Sequence, residues 1–418
     1  MNNNNRHIPT GYKPSPLGPI PKDWEVKRLG EVGSFSKGSG VPKDKIISEG
    51  HPCLTYGDLY TKYDFVIKDI KSFIDEETSK ESKEINAGDI CFAGSGETPE
   101  DIGKCAAYLE NCPAYAGGDI VILSPNNNIN SLWLSYLLNS DIGGKQRYKF
   151  AQGFSIVHIY PDNLKQIQIP IPPLHEQQSI VSVLSLWDTA IEKQTALIEQ
   201  LTLRKRGLMQ QLLTGKKRLK GFDGEWKEVK LGNLGKFVGG CVFSENEQGG
   251  QTGIPFYKVS DMNLPGNELK MTIANNYVTQ EQIERLGYIV IEDEAIIFAK
   301  VGAAIALERK RYAKNFIIDN NMLAFIPNED IWYMKYWFDS IRLSKYIQVG
   351  ALPSYNASDL STIKLNIPSR KEQTAIASVL VNADQEIEIQ KQKLTAMQEQ
   401  KKGLMQVLLT GKKRTTSI

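Results

Sequence analysis

The sequence predicts an α+β protein in which two mostly-β globular modules are separated by two long antiparallel helices that pair as a coiled coil, with an internal pseudo-two-fold repeat. Three observations carry this. Residues 171–218 recur without a gap at 367–414, and 24 of the 48 aligned positions are identical. Each copy has the apolar periodicity of one long helix. The stretches ahead of the copies share matched anchors at much lower similarity. Two copies this far apart make the chain a tandem duplication, each unit being a globular part followed by a helix.

The repeated segment is helical by its own chemistry. Pro172 and Pro173 stand at a helix entry, and Ser369 with Glu372 has capping-box spacing in the second copy. No proline then interrupts before Thr214 or Thr410. Gly215 and Gly411 supply the residue after the last turn, with Lys and Arg following near the negative end of the dipole. Apolar residues fall at heptad spacing at Ile180, Leu184, Trp187, Ile191, Ile198, Leu201, Leu208 and Leu212. The second stripe reads Ile376, Leu380, Ala383, Ile387, Leu394, Met397, Leu404 and Leu408. Both stripes break at the same places, Gln194 with Gln390 and Lys205 with Lys401. Polar residues in a seam cost stability and fix register, so two stripes with matched gaps are expected to pack on each other. A compact domain brings its chain ends together; the second helix then starts where the first stopped, and the pair is antiparallel. A helix of about 40 residues is about 60 Å long, the length of a ruler that holds two modules apart.

With 418 residues, 41% hydrophobic and 23% charged, the chain is long enough for two or three domains with real cores. No apolar run approaches a membrane span, and residues 1–6 lack the hydrophobic core of a signal peptide. Asn2 to Asn5 read as a disordered tail. The net charge of +2 rules out a polycation but leaves room for local basic patches, such as 216–220 and 412–414. The five cysteines, Cys53, Cys91, Cys105, Cys112 and Cys241, are odd in number and contain no Cys-x-x-Cys pair. Free thiols in a reducing cytoplasm are the expectation.

Both modules open alike, with Asp23-Trp24 and Arg28-Leu29-Gly30 matching Glu225-Trp226 and Lys230-Leu231-Gly232. Each tryptophan is expected to be a packing anchor where helix and module meet. Buried strands are predicted at 90–93 and 296–299, each running into a glycine-containing loop, and at 120–125 and 322–327, each stopped by proline. Short amphipathic helices follow at 132–139 and 331–339. Polar, glycine-bearing loops at 152–158 and 349–355 lead through Leu164 and Leu360 into a last strand and then into the long helix. Between these anchors the modules differ: 38–49 does not align with 240–253, nor 98–114 with 303–314. One scaffold with two unlike sets of loops predicts two different recognition surfaces.

Catalytic patterns are sparse. Gly94-Ser95-Gly96 is not followed by the rest of a dinucleotide fingerprint, and Gly215-Lys216 and Gly411-Lys412 lack the flanking residues of a phosphate-binding loop. His175-Glu176 has no second histidine at zinc-protease spacing. Of the four histidines, His7, His51, His158 and His175, only His158 stands in a loop with a functional look. Carboxylate pairs such as Glu76-Glu77 read as solvated charge. No catalytic or metal-ligating residue is assigned, and the chain is not expected to be an enzyme by itself.

The layout resembles the specificity subunit of a type I restriction-modification enzyme. The resemblance rests on Ile-Pro-Pro-Leu-x-Glu-Gln at 171–177 and its partner at 367–373, and on Lys-x-Gly-Leu-Met-Gln-x-Leu-Leu-Thr-Gly at the end of each helix. The Trp-x₄-Leu-Gly opening of each module also fits. It spans the chain from about Trp24 onward, and departs at Ser369-Arg370, where the family favours Pro-Leu. It implies that 1–170 and 219–366 are target recognition domains, each reading half of a split and asymmetric DNA site. The spacer helices, 171–218 and 367–418 with its tail, would set the gap and dock two modification (methyltransferase) subunits, with restriction subunits joining them. S-adenosylmethionine, ATP and Mg²⁺ would bind those partners and not this chain. The setting implied is a cytoplasmic host-defence system that directs both methylation and restriction. DNA-contacting candidates are Ser95, Glu97, Gln152, Ser155 and His158 in the first module, and Lys300, Ser354, Tyr355 and Asn356 in the second. Two other classes compete. A coiled-coil scaffold that binds proteins predicts no salt-dependent DNA binding. A fragment of a fused enzyme predicts an upstream catalytic domain, for which residues 1–23 are too few.

Overall fold

The computed structural model describes residues 8–99, 101–153, 156–347 and 354–415. The chain forms two compact units. One is Met1–Gln194 with Lys393–Ile418, and the other is Thr195–Gln392. Each unit therefore contains one module, the near half of one long helix and the far half of the other.

The long helices run Leu174–Leu212 and Arg370–Leu408, 39 residues each. Both units show the antiparallel pairing. In the first, Ile180 and Leu184 share a core with Met405, Leu408 and Leu409. In the second, Leu212 and Leu213 share one with Ile376, Ala377 and Leu380. The heptad stripes face inward as expected. Ile180, Leu184, Leu212, Ile376, Leu380, Ile387 and Leu408 are buried, and the other stripe positions are half-buried. Gly215 and Gly411 end the helices in the left-handed region, both at φ +70°. A side chain at Gly411 would also collide with Pro21, whose Cδ lies 2.6 Å from the Cβ position.

The mixed polar motif at each helix start now has a purpose. Gln177 and Gln373 bridge helix and module: each side-chain oxygen accepts a backbone N–H, from Asn130 (2.8 Å) and from Asp330 (3.2 Å). Those two residues cap the predicted amphipathic helices, which run Ser131–Asn139 and Ile331–Ser340. The neighbouring glutamates are almost fully buried, and an arginine from the end of the other helix neutralises each one. Arg414 grips both oxygens of Glu176 at 2.6 and 2.8 Å, and Arg218 grips both of Glu372 at 2.6 and 2.7 Å. The carboxylate of Glu372, read from sequence as half of a capping box with Ser369, is thus committed to Arg218. Trp24 Nε1 donates to Glu176 at 2.9 Å, whereas Arg218 lies over the ring of Trp226. Arg414 also holds Asp23, and the Tyr12 hydroxyl donates to the Gly411 carbonyl at 2.7 Å, so the segment 12–23 is tied to 411–414 within the first unit.

The first module carries a five-stranded sheet in the order Gly33–Lys37, Ile120–Pro125, Ile90–Ala93, Cys105–Tyr108, Val66–Ile67. A smaller four-stranded sheet packs Phe73–Ile74, His51–Leu54, Ala114–Ala116 and Lys83–Ile85. The second module repeats the plan with Gly235–Gly239, Met322–Pro327, Ala295–Ala299 and Lys310–Ala313, beside a three-stranded sheet. The central strands are buried on both faces, which is why they read as unbroken apolar runs. The stretch after Pro52 divides into the strand His51–Leu54 and the short helix Tyr56–Thr61, because Asp58 accepts from the backbone N–H of Thr55 and caps a turn. In each module the last strand, Gln168–Ile171 or Lys364–Ile367, pairs antiparallel with the strand after the tryptophan, Glu25–Arg28 or Lys227–Lys230, and delivers the chain to its helix. The five cysteines are unbridged. Among the described residues no helix is long and apolar enough to cross a membrane.

Leu184 and Leu380, both fully buried at the helix–module junction, set the first expected result. Leu184→Ala should cost about 2–5 kcal/mol by the usual transfer and cavity terms, and Leu380→Ala a similar amount in the other unit. Urea midpoints of the two variants check this, and an unchanged midpoint would argue against a packed seam.

Candidate nucleic-acid interface

In each module the buried central strand runs on into a loop, and a second loop is stitched to it, 63 residues later in the first module (Ser95 with His158) and 53 later in the second (Val301 with Ser354). In the first module Ser95–Gly96 pairs antiparallel with Val157–His158. Ser95 Oγ and His158 Nδ1 are hydrogen-bonded at 3.0 Å. Gln152 joins the same cluster, its backbone N–H and carbonyl both bonded to His158, at 3.0 and 2.7 Å. Glu97 follows directly and is exposed, as is Gln152. Four of the five candidates in this module are therefore neighbours, and Ser155 lies outside the described residues. Ser95 is itself buried. Its place is beneath His158, where it fixes the ring and leaves Nε2 as the ring's remaining hydrogen-bonding atom.

Gly96 keeps this joint closed: a Cβ there would sit 2.6 Å from the Tyr60 hydroxyl. That hydroxyl is buried without a hydrogen-bond partner, and burial raises its pKa to about 12. Arg147 braces the loop from behind, donating from Nε to the Ile102 carbonyl at 3.0 Å and from a terminal nitrogen to the Leu138 carbonyl.

The second module builds the same joint from other residues. Val301 bridges Ser354, and the Tyr355 N–H donates to the Lys300 carbonyl at 2.9 Å. Lys300 and Ser354 are half-buried at the surface of this joint. The placement of Tyr355 differs from the sequence reading. It is 7% exposed, with its ring edge-on to Phe298 at 6.2 Å, because an apolar core lies directly behind the loop. It supports the loop from within. Asn356 is exposed, and its side chain caps the helix Ala357–Ser361 by accepting from the Ser358 N–H. The Glu308 carboxylate accepts from the N–H groups of Leu343 and Ser344 at 3.0 and 2.8 Å, so the loop 301–308 is anchored to the turn that precedes residue 354.

Several surface residues beside these joints escape a reading based on loop composition. Tyr160, 48% exposed, stacks on His158 with ring centres 6.2 Å apart. Ile156, two residues before His158 in sequence, is 59% exposed. A tyrosine and a lysine, both exposed, precede each joint: Tyr148 with Lys149 in the first module, and Lys345 with Tyr346 in the second. The signal that finds them is this shared dipeptide at a shared distance from the loop, in opposite order. A cation and an aromatic ring at the mouth of a polar loop suit a phosphate backbone and a sugar or base face.

Two modules of one scaffold, joined to paired helices and carrying unlike side chains at an equivalent joint, define a duplicated recognition protein. The family profile described as "Type I restriction modification DNA specificity domain" matches the chain twice, over residues 21–203 and 223–399. The chain belongs to this family and is a type I restriction-modification specificity subunit, the member of such systems that supplies DNA specificity and not catalysis. It is 29% identical over 434 residues to the putative type I restriction enzyme MjaX specificity subunit of Methanocaldococcus jannaschii, covering 96% of both chains. It is 25% identical over 436 residues to the MjaVIII specificity subunit of the same organism, covering 96% of this chain and 95% of that one. Its fold matches the crystal structure of the type I S subunit from M. genitalium with a TM-score of 0.56 at 16% identity, over 92% of this chain and 96% of that one. It also matches a chain from a structural study of type I R-M complex assembly, with a TM-score of 0.61 at 18% identity, over 94% and 99% of the two chains.

Proposed function

We propose that residues 1–170 and 219–366 are two target recognition domains, each reading one half of an asymmetric, bipartite DNA site. The helices, 171–218 and 367–418 with its tail, set the gap between the half-sites and dock two modification subunits, to which restriction subunits are added. S-adenosylmethionine, ATP and Mg²⁺ belong to those partners, and the assembly works in the cytoplasm. The observation that carries this is the pair of equivalent loop joints with different residues: Ser95, Glu97, Gln152 and His158 in one, Lys300, Ser354 and Asn356 in the other. His158, Gln152, Glu97 and Asn356 have the donors and acceptors to address base edges, while Lys149, Lys300 and Lys345 suit phosphates. Ser155 is kept as a base-proximal candidate from its place in the first loop, and Tyr355 as the residue that shapes the second. Unlike joints predict unlike half-sites. DNA turns once in about 34 Å, so modules on helices of about 60 Å suit grooves one turn or more apart.

Selection from random duplex DNA, with the chain co-purified with its candidate modification subunits, tests this. A two-part motif with a fixed unspecified gap is expected, each half transferable by module exchange. A single contiguous motif would sink the two-module reading. Absence of enrichment even at low salt would favour a protein-binding scaffold.

A further inference from the structure

The heptad stripes break at Lys205 and Lys401, and both lysines reach into the same three-part arrangement. Lys401, almost fully buried, places its ammonium on Asp188 of the facing helix and over two rings, Phe65 at 4.0 Å and Tyr136 at 5.2 Å. The Tyr136 hydroxyl donates to the other oxygen of Asp188. In the second unit Lys205 pairs with Asp384 at 2.5 Å and lies 5.1 Å from the centre of the Tyr336 ring. The Tyr336 hydroxyl donates to the second oxygen of Asp384 at 2.7 Å. Each group thus joins three elements: aspartate from one helix, lysine from the other, and tyrosine from the module's amphipathic helix.

Stability alone does not account for this design. A leucine in the seam would pack without the desolvation of an ammonium and a carboxylate, and buried ion pairs often cost more than apolar replacements. What such a pair does well is to select one alignment. Sliding one helix by a single turn would carry the lysine about 5 Å from its aspartate, leaving two partly buried charges unpaired. The tyrosine extends that selection from the helix pair to the module. Burial and the adjacent carboxylate push both phenols well above their ordinary range, so each remains a donor.

We infer that Tyr136–Asp188–Lys401 and Tyr336–Asp384–Lys205 are positioning clamps, each locking its module in one pose on the helix pair, and that together they make the protein intolerant of altered gaps between half-sites. The inference rests on the reading of a bipartite site. Its test is binding to a library in which the two selected half-sites are kept and the gap varies by single base pairs. The native protein should prefer one gap by about tenfold or more over its neighbours, the cost of a misplaced contact set. Lys205→Met with Lys401→Met should bring neighbouring gaps to within about threefold while each half-site keeps its base preference. Lys205→Arg with Lys401→Arg should preserve the native gap profile. If the methionine variant does not fold, Tyr136→Phe with Tyr336→Phe, which conserves volume, decides the matter by the same profile. An unchanged profile in variants that fold overturns the clamps and leaves the bipartite reading intact. A native protein without a two-part motif overturns both.

Discussion

Arg414→Ala is expected to destabilise the first unit by about 3–5 kcal/mol, the cost of leaving a buried carboxylate without its cation. Glu176 is only 1% exposed, and the arginine supplies two of its hydrogen bonds, with Trp24 Nε1 the third. Lysine should restore little, since one ammonium does not reproduce a bidentate fork. Arg218→Ala should act equally on the second unit through Glu372. Urea unfolding followed by hydrogen exchange, resolved by unit, separates the two. Equal loss of protection in both units would show that the damage is not confined to the unit that holds the broken pair. Acid adds a signature. Arg414 holds the Asp23 carboxyl below its ordinary 3.8. A lowered pKa contributes stability that is present above the unfolded value and lost as pH falls through the folded one. The native protein should therefore lose this increment below about pH 3.8, and Arg414→Ala should show a flatter acid limb.

The second large effect concerns recognition. His158→Ala, or Gln152→Ala, should weaken binding to the native site by about 1–3 kcal/mol, roughly five- to 150-fold, and relax base preference in one half-site only. Ser95→Ala should give a smaller loss with the same half-site signature, because it frees the imidazole ring and removes no direct contact. Lys149→Ala should instead weaken all sequences alike and lower the salt slope by about one. Fluorescence anisotropy on duplexes with either half-site scrambled, at two or more salt concentrations, reads these patterns. A uniform loss for His158→Ala would move that residue from base reading to phosphate contact.

Much of the fold was legible because its signals are local. Heptad spacing, the prolines at the helix entries, Gly215 and Gly411 at the exits, and unbroken apolar strands each depend on a few adjacent residues. The duplication made the reading stronger, since chance does not place Gln194 and Gln390, or Lys205 and Lys401, at matching gaps. The candidate site was legible by position more than by role. The described ends of both stretches, 156–158 and 354–355, join the strand ends as neighbours, but a polar, glycine-bearing stretch does not reveal which of its side chains turns inward. Tyr355 went into the core because apolar volume was available behind it, and Ser95 went beneath His158. Tyr160, Lys149 and Lys345 lay outside the loops and became visible only when the joints were seen in space.

By itself, then, the sequence determined the duplication, the two long helices and their apolar faces, the shared strand scaffold and the divergence of its loops, all of which follow from periodicity and local backbone preference. Only the tertiary structure decided what the predicted antiparallel pair does with its ends. The residues place the end of each helix near the start of the other, but they do not say that Glu176 and Glu372 are buried there or that Arg414 and Arg218 are the cations that neutralise them. Antiparallel packing brings the start of each helix to the end of the other, and a buried carboxylate takes the cation that geometry delivers.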